Sequence, residues 1–170
     1  RSPCNYAMMV LGSGGRGESL LAADQDNAIV FEHGAPGGVE DVWFAELGDR
    51  IAATLDGAGV PLCKGGVMAK NPAWRGSVET WSARIRDWVT RSNPQDLLNV
   101  DIFFDQRAVH GETALAQTLF DLSFEAGTGQ RHFPVLLGER IDQAGSAFTM
   151  FGNLRGVDGR LDLKQHDLFP

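Results

Sequence analysis

Tyr6-Ala-Met-Met-Val-Leu-Gly-Ser-Gly-Gly-Arg-Gly-Glu-Ser-Leu-Leu-Ala-Ala-Asp-Gln-Asp-Asn-Ala-Ile-Val-Phe-Glu32 holds two short apolar runs on either side of a glycine-rich loop and a pair of aspartates. The runs 6–11 and 27–32 are bounded by turn residues, which is typical of buried strands. The loop that begins at Gly12 predicts a tight turn leading into a brief helical turn. Asp24 and Asp26 follow, at the start of the second strand. Most of the functional information in the chain lies in this segment.

The rest of the chain alternates helical and extended patterns. Apolar residues recur at helical spacing over 40–55 and 78–89, and we also expect helices over 112–124 and 133–147. A loop-rich passage covers 57–72. The run Leu97-Leu-Asn-Val-Asp-Ile-Phe-Phe-Asp105 predicts a third strand, in which Asp101, Phe103 and Asp105 share one face. The tail 152–170 is weakly periodic, and we expect a linker or the start of a further domain there.

Composition is that of a globular protein. The chain has 170 residues, of which 43% are hydrophobic and 22% charged, enough for one domain with its own core. Cys4 and Cys63 lack the spacing of a zinc site or a disulfide framework, so we expect a reducing, cytoplasmic setting. The chain begins at Arg1 rather than Met, which leads us to expect a fragment of a longer protein.

The net charge and the hydropathy of the chain exclude some classes of binding partner. The net charge of −7 argues against binding to nucleic acid or to an anionic membrane, because both depend on a basic surface. No stretch is long and apolar enough to predict a transmembrane helix. Small molecules and proteins are therefore the expected partners.

The glycine loop fits two common nucleotide-binding motifs poorly. Gly12, Gly14 and Gly17 satisfy the dinucleotide pattern G-x-G-x-x-G after a strand, but only nine residues separate Gly17 from Asn27. That interval is too short for the crossover helix of a Rossmann unit. The Walker loop fails for another reason, because Glu18 stands where a lysine must meet the phosphates.

A third interpretation uses the whole segment. Side chains at positions i and i+2 of an extended chain project to the same side, with Cα atoms about 6.5 Å apart. Asp24 and Asp26 are therefore expected to converge on divalent ions, and Mg²⁺ prefers such hard oxygen ligands together with substrate phosphate. A pair of ions held in this way stabilises both the attacking and the leaving oxygen of an in-line displacement.

These residues resemble a known family. Gly12-Ser13 followed by Asp24-x-Asp26 is similar to the signature of the polymerase-β-like nucleotidyltransferase superfamily. The longer string Leu11–Phe31 resembles the nucleotidyltransferase domain of bacterial signalling proteins, which often carry CBS or cyclic-nucleotide-binding domains and are related to the PII-protein uridylyltransferase. Further similar strings lie at 65–75, 102–107, 110–112 and 162–166. The resemblance implies an α/β (α+β) fold with a small mixed sheet flanked by helices. It implies a catalytic core over 1–118, and over 119–170 the beginning of a helical substrate-binding region.

The resemblance also implies an activity. We expect a Mg²⁺- or Mn²⁺-dependent transfer of a nucleoside monophosphate from an NTP to a hydroxyl of a protein or small molecule, in bacterial signalling. Asp24 and Asp26 are expected to hold the ions, with Gly12, Ser13 and Gly14 around the phosphates. A nucleotide-binding regulatory module without transfer is the alternative, and a Rossmann-type dinucleotide binder is a weaker one. Further regulatory domains are expected in the full-length protein.

Two assignments depend on residues outside the aspartate pair. The superfamily uses a third carboxylate on a later strand, and we assign it to Asp105, since Asp105-x-Arg107 matches the family string. Asp101 is the alternative, but along a strand it would lie about 13 Å from Asp105, too far to share an ion. Arg16 is expected either to bind the triphosphate or to brace the loop by pairing with Glu18 or Asp105.

Overall fold

A computed structural model of the chain describes residues 1–18 and 24–129. Its strands are β1 (Tyr6–Val10), β2 (Asn27–Phe31), β3 (Arg75–Ser77) and β4 (Arg107–Gly111). Its helices are α1 (Gly12–Arg16), α2 (Val39–Gly57), α3 (Val78–Arg91), α4 (Pro94–Phe104) and α5 (Thr113–Thr128), with a 3₁₀ turn at Pro72–Trp74. None of the helices within these two ranges is long and apolar enough to cross a bilayer.

The strands form one mixed sheet in the order β3-β2-β1-β4. β1 pairs antiparallel with both β2 and β4, whereas β2 and β3 run parallel. The predicted α/β (α+β) class with a small mixed sheet is confirmed. The antiparallel pairing of β1 with β2 also excludes the Rossmann unit, whose successive strands are parallel.

Strand β2 lies at the centre of the core, because all five of its residues are buried. Ile29 and Phe31 pack with Phe44 of α2, and the Phe31 and Phe44 rings stack at 4.6 Å. The indole of Trp81 in α3 donates a hydrogen bond to the Ile29 carbonyl at 3.0 Å. Helices therefore cover the strand that leads directly from the aspartate pair, which fixes the position of that pair relative to the sheet.

Most of the predicted elements are confirmed. The strands expected at 6–11 and 27–32 and the helices expected at 40–55, 78–89 and 112–124 are present with small changes of boundary. The helix expected at 133–147 and the tail 152–170 lie outside the described residues. The division at residue 118 stays a prediction, although α5 continues across that position.

The strand predicted at Leu97–Asp105 is wrong, because these residues form most of α4. The side chain of Asn93 accepts hydrogen bonds from the backbone N–H groups of Gln95 and Asp96, and Pro94 occupies the first turn. Both features start helices. Leu97, Val100 and Phe103 are buried at helical spacing. Closely spaced apolar residues are compatible with the period of a strand and with that of a helix, and the Asn93 cap favours the helix.

Strand β4 pairs with β1 and forms that edge of the sheet, and the sequence pattern did not indicate this strand. Its five residues Arg-Ala-Val-His-Gly are exposed except for Ala108, which is half-buried. An edge strand with little burial carries no apolar alternation, so its period is invisible in the sequence. Asp105 therefore does not lie on a strand but caps the C-terminal end of α4.

Candidate metal centre

Asp24 and Asp26 flank a residue that is fixed in the interior. Gln25 is 2% exposed, and its side-chain nitrogen donates to the carbonyls of Ala52 at 3.0 Å and Val60 at 2.8 Å. Its backbone N–H donates to the Pro61 carbonyl at 3.1 Å. Since side chains alternate along an extended chain, a Gln25 that points inward leaves both aspartates on the other side.

The structure brings these two carboxylates together with a thiol. One ligand atom from each of Asp24, Asp26 and Cys63 lies within 4.8 Å of the other two. All three side chains are half-buried. The expected convergence of Asp24 and Asp26 is therefore present in the geometry, and the third potential ligand of the cluster comes from the loop after α2.

The thiol of Cys63 forms a hydrogen bond within the cluster. Burial raises the pKa of Cys63, and a hydrogen bond from the thiol to Asp26 raises it further. Both cysteines of the chain are free. Sequence reasoning missed Cys63, because the loop 57–72 has no regular period and the residue has no ligand-like neighbour along the chain.

The glycine loop runs directly beside the aspartates. Gly12 has φ 52°, and a Cβ built on it would lie 3.5 Å from a carboxylate oxygen of Asp26. The backbone N–H of Leu11 donates to the Asp26 carbonyl at 3.0 Å, which ties the end of β1 to the aspartate. α1 ends at Gly17 in the left-handed conformation, and the Ser13 carbonyl accepts the N–H of Glu18 at 2.8 Å. Gly12 therefore adjoins the carboxylate of Asp26, and Ser13 follows it in the first turn of α1.

Arg16 braces the loop through two carboxylates, with its side chain still 39% exposed. Its guanidinium donates to Glu18 at 2.8 Å and also to the carboxylate of Asp105. This is one of the two roles expected for Arg16. Burial raises the pKa of Asp105, and the charge of Arg16 offsets that rise only in part.

Asp105 is thus brought to Arg16 and is not a member of the cluster that Asp24 and Asp26 form with Cys63. Its assignment as third carboxylate stays a prediction, but the separation of about 13 Å from Asp101 expected along a strand is wrong, because the chain is helical there. Asp101 lies in the last turn of α4 and Asp105 directly follows the helix, and the negative charge of Asp101 also raises the pKa of Asp105.

The chain around Asp105 supports the glycine loop from one side. The guanidinium of Arg107 donates to the carbonyls of Gly15 at 3.1 Å and Gly14 at 3.2 Å. A Cβ on Gly15 would overlap the carbonyl oxygen of Asp105, so only glycine fits there. The string Asp105-Gln-Arg107 therefore positions the loop, a role that spacing alone did not indicate.

The donor set of the cluster fits a divalent cation. Two carboxylates supply the hard oxygen ligands that Mg²⁺ and Mn²⁺ take in phosphate-binding sites. Among residues 1–18 and 24–129, this cluster is where the chain brings three potential metal ligands together.

Comparison with known protein families agrees with this geometry. The model of the family described as "Putative nucleotidyltransferase DUF294" matches residues 1–95, more than half of the 170-residue chain. The match contains β1 to α3, and with them the glycine loop, both aspartates and Cys63. No curated protein and no solved structure matches the chain. The resemblance to polymerase-β-like nucleotidyltransferases is confirmed, and the chain belongs to the family described as "Putative nucleotidyltransferase DUF294".

Proposed function

We propose that this domain transfers a nucleoside monophosphate from an NTP to an acceptor hydroxyl and releases pyrophosphate. The convergence of Asp24 and Asp26 beside Gly12 carries the proposal, in a chain that belongs to a nucleotidyltransferase family. In the reaction, the acceptor oxygen forms a bond to the α-phosphorus while the bond from that phosphorus to the bridging oxygen of pyrophosphate breaks.

Asp24 and Asp26 are the residues that would hold Mg²⁺ or Mn²⁺ against the triphosphate. A divalent ion at this place supplies neutralisation of phosphate charge and lowers the barrier to displacement. The two carboxylates already lie on one side of the chain, because Gln25 between them is buried and hydrogen-bonded. These two carboxylates therefore need little reorganisation before the ion and an NTP bind.

The loop residues would hold the rest of the nucleotide. Gly12, Ser13 and Gly14 are proposed to surround the phosphates, since the loop adjoins Asp26 and a side chain at Gly12 would contact that carboxylate. Arg16 lies at the end of the same short helix with its side chain 39% exposed. We propose that Arg16 exchanges its carboxylate partners for the triphosphate when the NTP binds, because its planar guanidinium suits phosphate oxygens.

Asp105 would then be released from its ion pair. Burial raises the pKa of its carboxyl group, which makes this carboxylate a stronger proton acceptor than an exposed aspartate. In this proposal Asp105 takes the proton of the acceptor hydroxyl as that oxygen attacks. The acceptor is a hydroxyl of a partner protein or of a small molecule, and the resemblance to signalling proteins favours a bacterial regulatory setting.

Labelled nucleotides test transfer directly. The protein is incubated with each NTP, labelled at either the α- or the γ-phosphate, together with Mg²⁺ or Mn²⁺ and candidate acceptors. We expect covalent label from the α-position only, and loss of that label in Asp24→Asn and Asp26→Asn. Asp87→Asn, an exposed carboxylate on α3, is the matched control and should transfer normally.

The same assay separates transfer from simple binding. Saturable NTP binding that requires Asp24 and Asp26 but leaves no covalent label on any acceptor would favour the regulatory module. Label transferred from the γ-position would instead indicate a kinase-type reaction and would contradict the proposal.

A further inference from the structure

We infer that Cys63 is the third protein ligand of the divalent ion held by Asp24 and Asp26, and that it makes the site prefer thiophilic ions over Mg²⁺. The inference rests on the metal-binding part of the proposed function and not on the transfer reaction. The ligand class is a divalent cation of borderline or soft character, such as Co²⁺, Zn²⁺ or Cd²⁺.

The position of Cys63 is fixed by the chain on both sides of it. Leu62 forms a parallel bridge with Gln25, so the residue after Leu62 lies alongside the aspartate pair. The N–H of Gly66 donates to the Cys63 carbonyl at 3.1 Å, which closes a turn directly after the cysteine. Gly66 has φ 73°, a conformation that suits glycine. The turn and the bridge together hold Cys63 beside Asp24 and Asp26.

Just after this turn, residues Val67 and Ala69 of the loop form hydrogen bonds with β2. The backbone N–H of Asn27 donates to the Val67 carbonyl at 3.0 Å, and the Asn27 side chain accepts the N–H of Ala69 at 3.0 Å. Asn27 is 4% exposed, so these bonds are shielded from water. Cys63 and the aspartates therefore belong to one hydrogen-bonded segment, and their mutual distances within 4.8 Å are set by it.

The chemistry of the three donors accounts for the preference. Two carboxylates alone suit Mg²⁺, which takes hard oxygen ligands and keeps several waters. A thiolate adds affinity for softer ions and little for Mg²⁺. When such an ion binds, the S–H bond of Cys63 breaks, a sulfur–metal bond forms and the proton is released to solvent. Water or phosphate oxygens fill the other positions.

The chain contains an internal control for this proposal. It has two cysteines, and the second, Cys4, contacts the carbonyl of His33 at 3.9 Å, outside the aspartate cluster. A substitution of Cys4 therefore changes the thiol content of the protein by the same amount as a substitution of Cys63 and leaves the cluster intact.

Titration of the reduced, metal-free full chain with Cd²⁺ or Co²⁺ alone tests the inference. We expect a thiolate-to-metal charge-transfer band that saturates at one ion per chain in the wild type and in Cys4→Ser, and no band in Cys63→Ser. Cys63→Ser should weaken Cd²⁺ binding by about tenfold or more, since loss of even an indirect partner of a metal ligand costs about that much. Its Mg²⁺ affinity should change less than about twofold.

We expect Cys63→Asp to shift the preference of the site towards Mg²⁺. It should raise Mg²⁺ affinity and remove the charge-transfer band, because a third hard ligand replaces the sulfur. Absence of the band in the wild type, or its persistence in Cys63→Ser, would overturn the inference and leave Cys63 as a hydrogen-bond donor to Asp26.

Thiol alkylation keeps the inference testable if a Cys63 variant does not fold. In the wild-type chain, Cd²⁺ should slow the reaction of Cys63 with iodoacetamide and leave that of Cys4 unchanged, as read by peptide mass. Equal rates with and without the ion would contradict metal ligation. A charge-transfer band without nucleotidyl transfer would overturn the proposed function alone, whereas transfer without any band would overturn the Cys63 inference alone.

Discussion

The guanidinium of Arg16 binds the carboxylate of Asp105, 89 residues further along the chain. The pair joins the short helix α1 to the end of α4 and closes one side of the glycine loop. Both partners are charged, but Asp105 is partly withdrawn from water, and burial raises its pKa in spite of Arg16. The contact therefore positions the loop more than it stabilises the fold.

This balance predicts that Asp105→Asn does not destabilise the protein at neutral pH. A carboxyl group with a raised pKa in the folded state favours the protonated form there, so its stabilising contribution is present below its ordinary pKa. That contribution is lost as the pH rises through the folded pKa. At pH 7 the free energy of unfolding of Asp105→Asn should equal or exceed that of the wild type.

Urea unfolding of both proteins between about pH 4 and pH 7 measures this difference. The advantage of the variant should grow as the pH rises. A loss of more than about 1 kcal/mol in the variant at pH 7 would show that the ion pair with Arg16 outweighs burial.

Close packing of Gly15 against the backbone of Asp105 predicts that a larger side chain at position 15 destabilises the protein. A Cβ at this position would overlap the backbone carbonyl of Asp105, which has no flexible side chain to move aside. Gly15→Ala should lower the free energy of unfolding by about 1–3 kcal/mol, as overpacking does in well-packed sites. It should also weaken NTP binding, because the loop has to shift.

Gly57→Ala is the matched control for Gly15→Ala. Gly57 ends α2, and a Cβ on it would meet nothing within 4 Å. Thermal or urea unfolding should show unchanged or slightly increased stability, by up to about 1 kcal/mol. Equal effects of the two substitutions would mean that the approach of Asp105 to Gly15 is unimportant.

The sequence correctly predicted the elements in which the spacing of apolar residues and the flanking turn residues indicate the same structure. Strands β1 and β2 are short apolar runs, and the alternation of side chains was sufficient to place Asp24 and Asp26 on one side. Resemblance to the family then gave the mixed sheet, which local patterns alone do not specify.

The errors have physical causes that belong to particular residues. Six of the nine residues in 97–105 are apolar, so their spacing was compatible with a helix as well as with a strand, and the Asn93 cap was decisive. Cys63 lies beside the aspartates because Leu62 pairs with Gln25, 37 residues earlier in the chain, through an isolated bridge. Such a contact depends on tertiary structure and leaves no period in the sequence.

Substitution of Gln25 tests whether its buried hydrogen bonds hold Asp24 and Asp26 in place. Gln25→Leu keeps most of the side-chain volume and removes the hydrogen bonds to the Ala52 and Val60 carbonyls. We expect a loss of about 1–3 kcal/mol in the free energy of unfolding, the cost of leaving buried polar groups without a partner. Mn²⁺ affinity should fall as well, because Asp24 and Asp26 lose their fixed orientation.

Calorimetric Mn²⁺ titration and urea unfolding of the same samples check both effects. Gln117→Leu, at an exposed position of α5, is the control and should change neither quantity appreciably. Unaltered Mn²⁺ binding in a destabilised Gln25→Leu variant would show that the aspartates are positioned without Gln25.

Anomalous diffraction from crystals of the full chain with Mn²⁺ and a non-hydrolysable NTP analogue is the most direct test of the metal centre. We predict a manganese peak within bonding distance of carboxylate oxygens of both Asp24 and Asp26, with analogue phosphates beside Gly12 and Ser13. A manganese peak bound elsewhere, with Asp24 and Asp26 in contact with neither metal nor nucleotide, would contradict the proposed site.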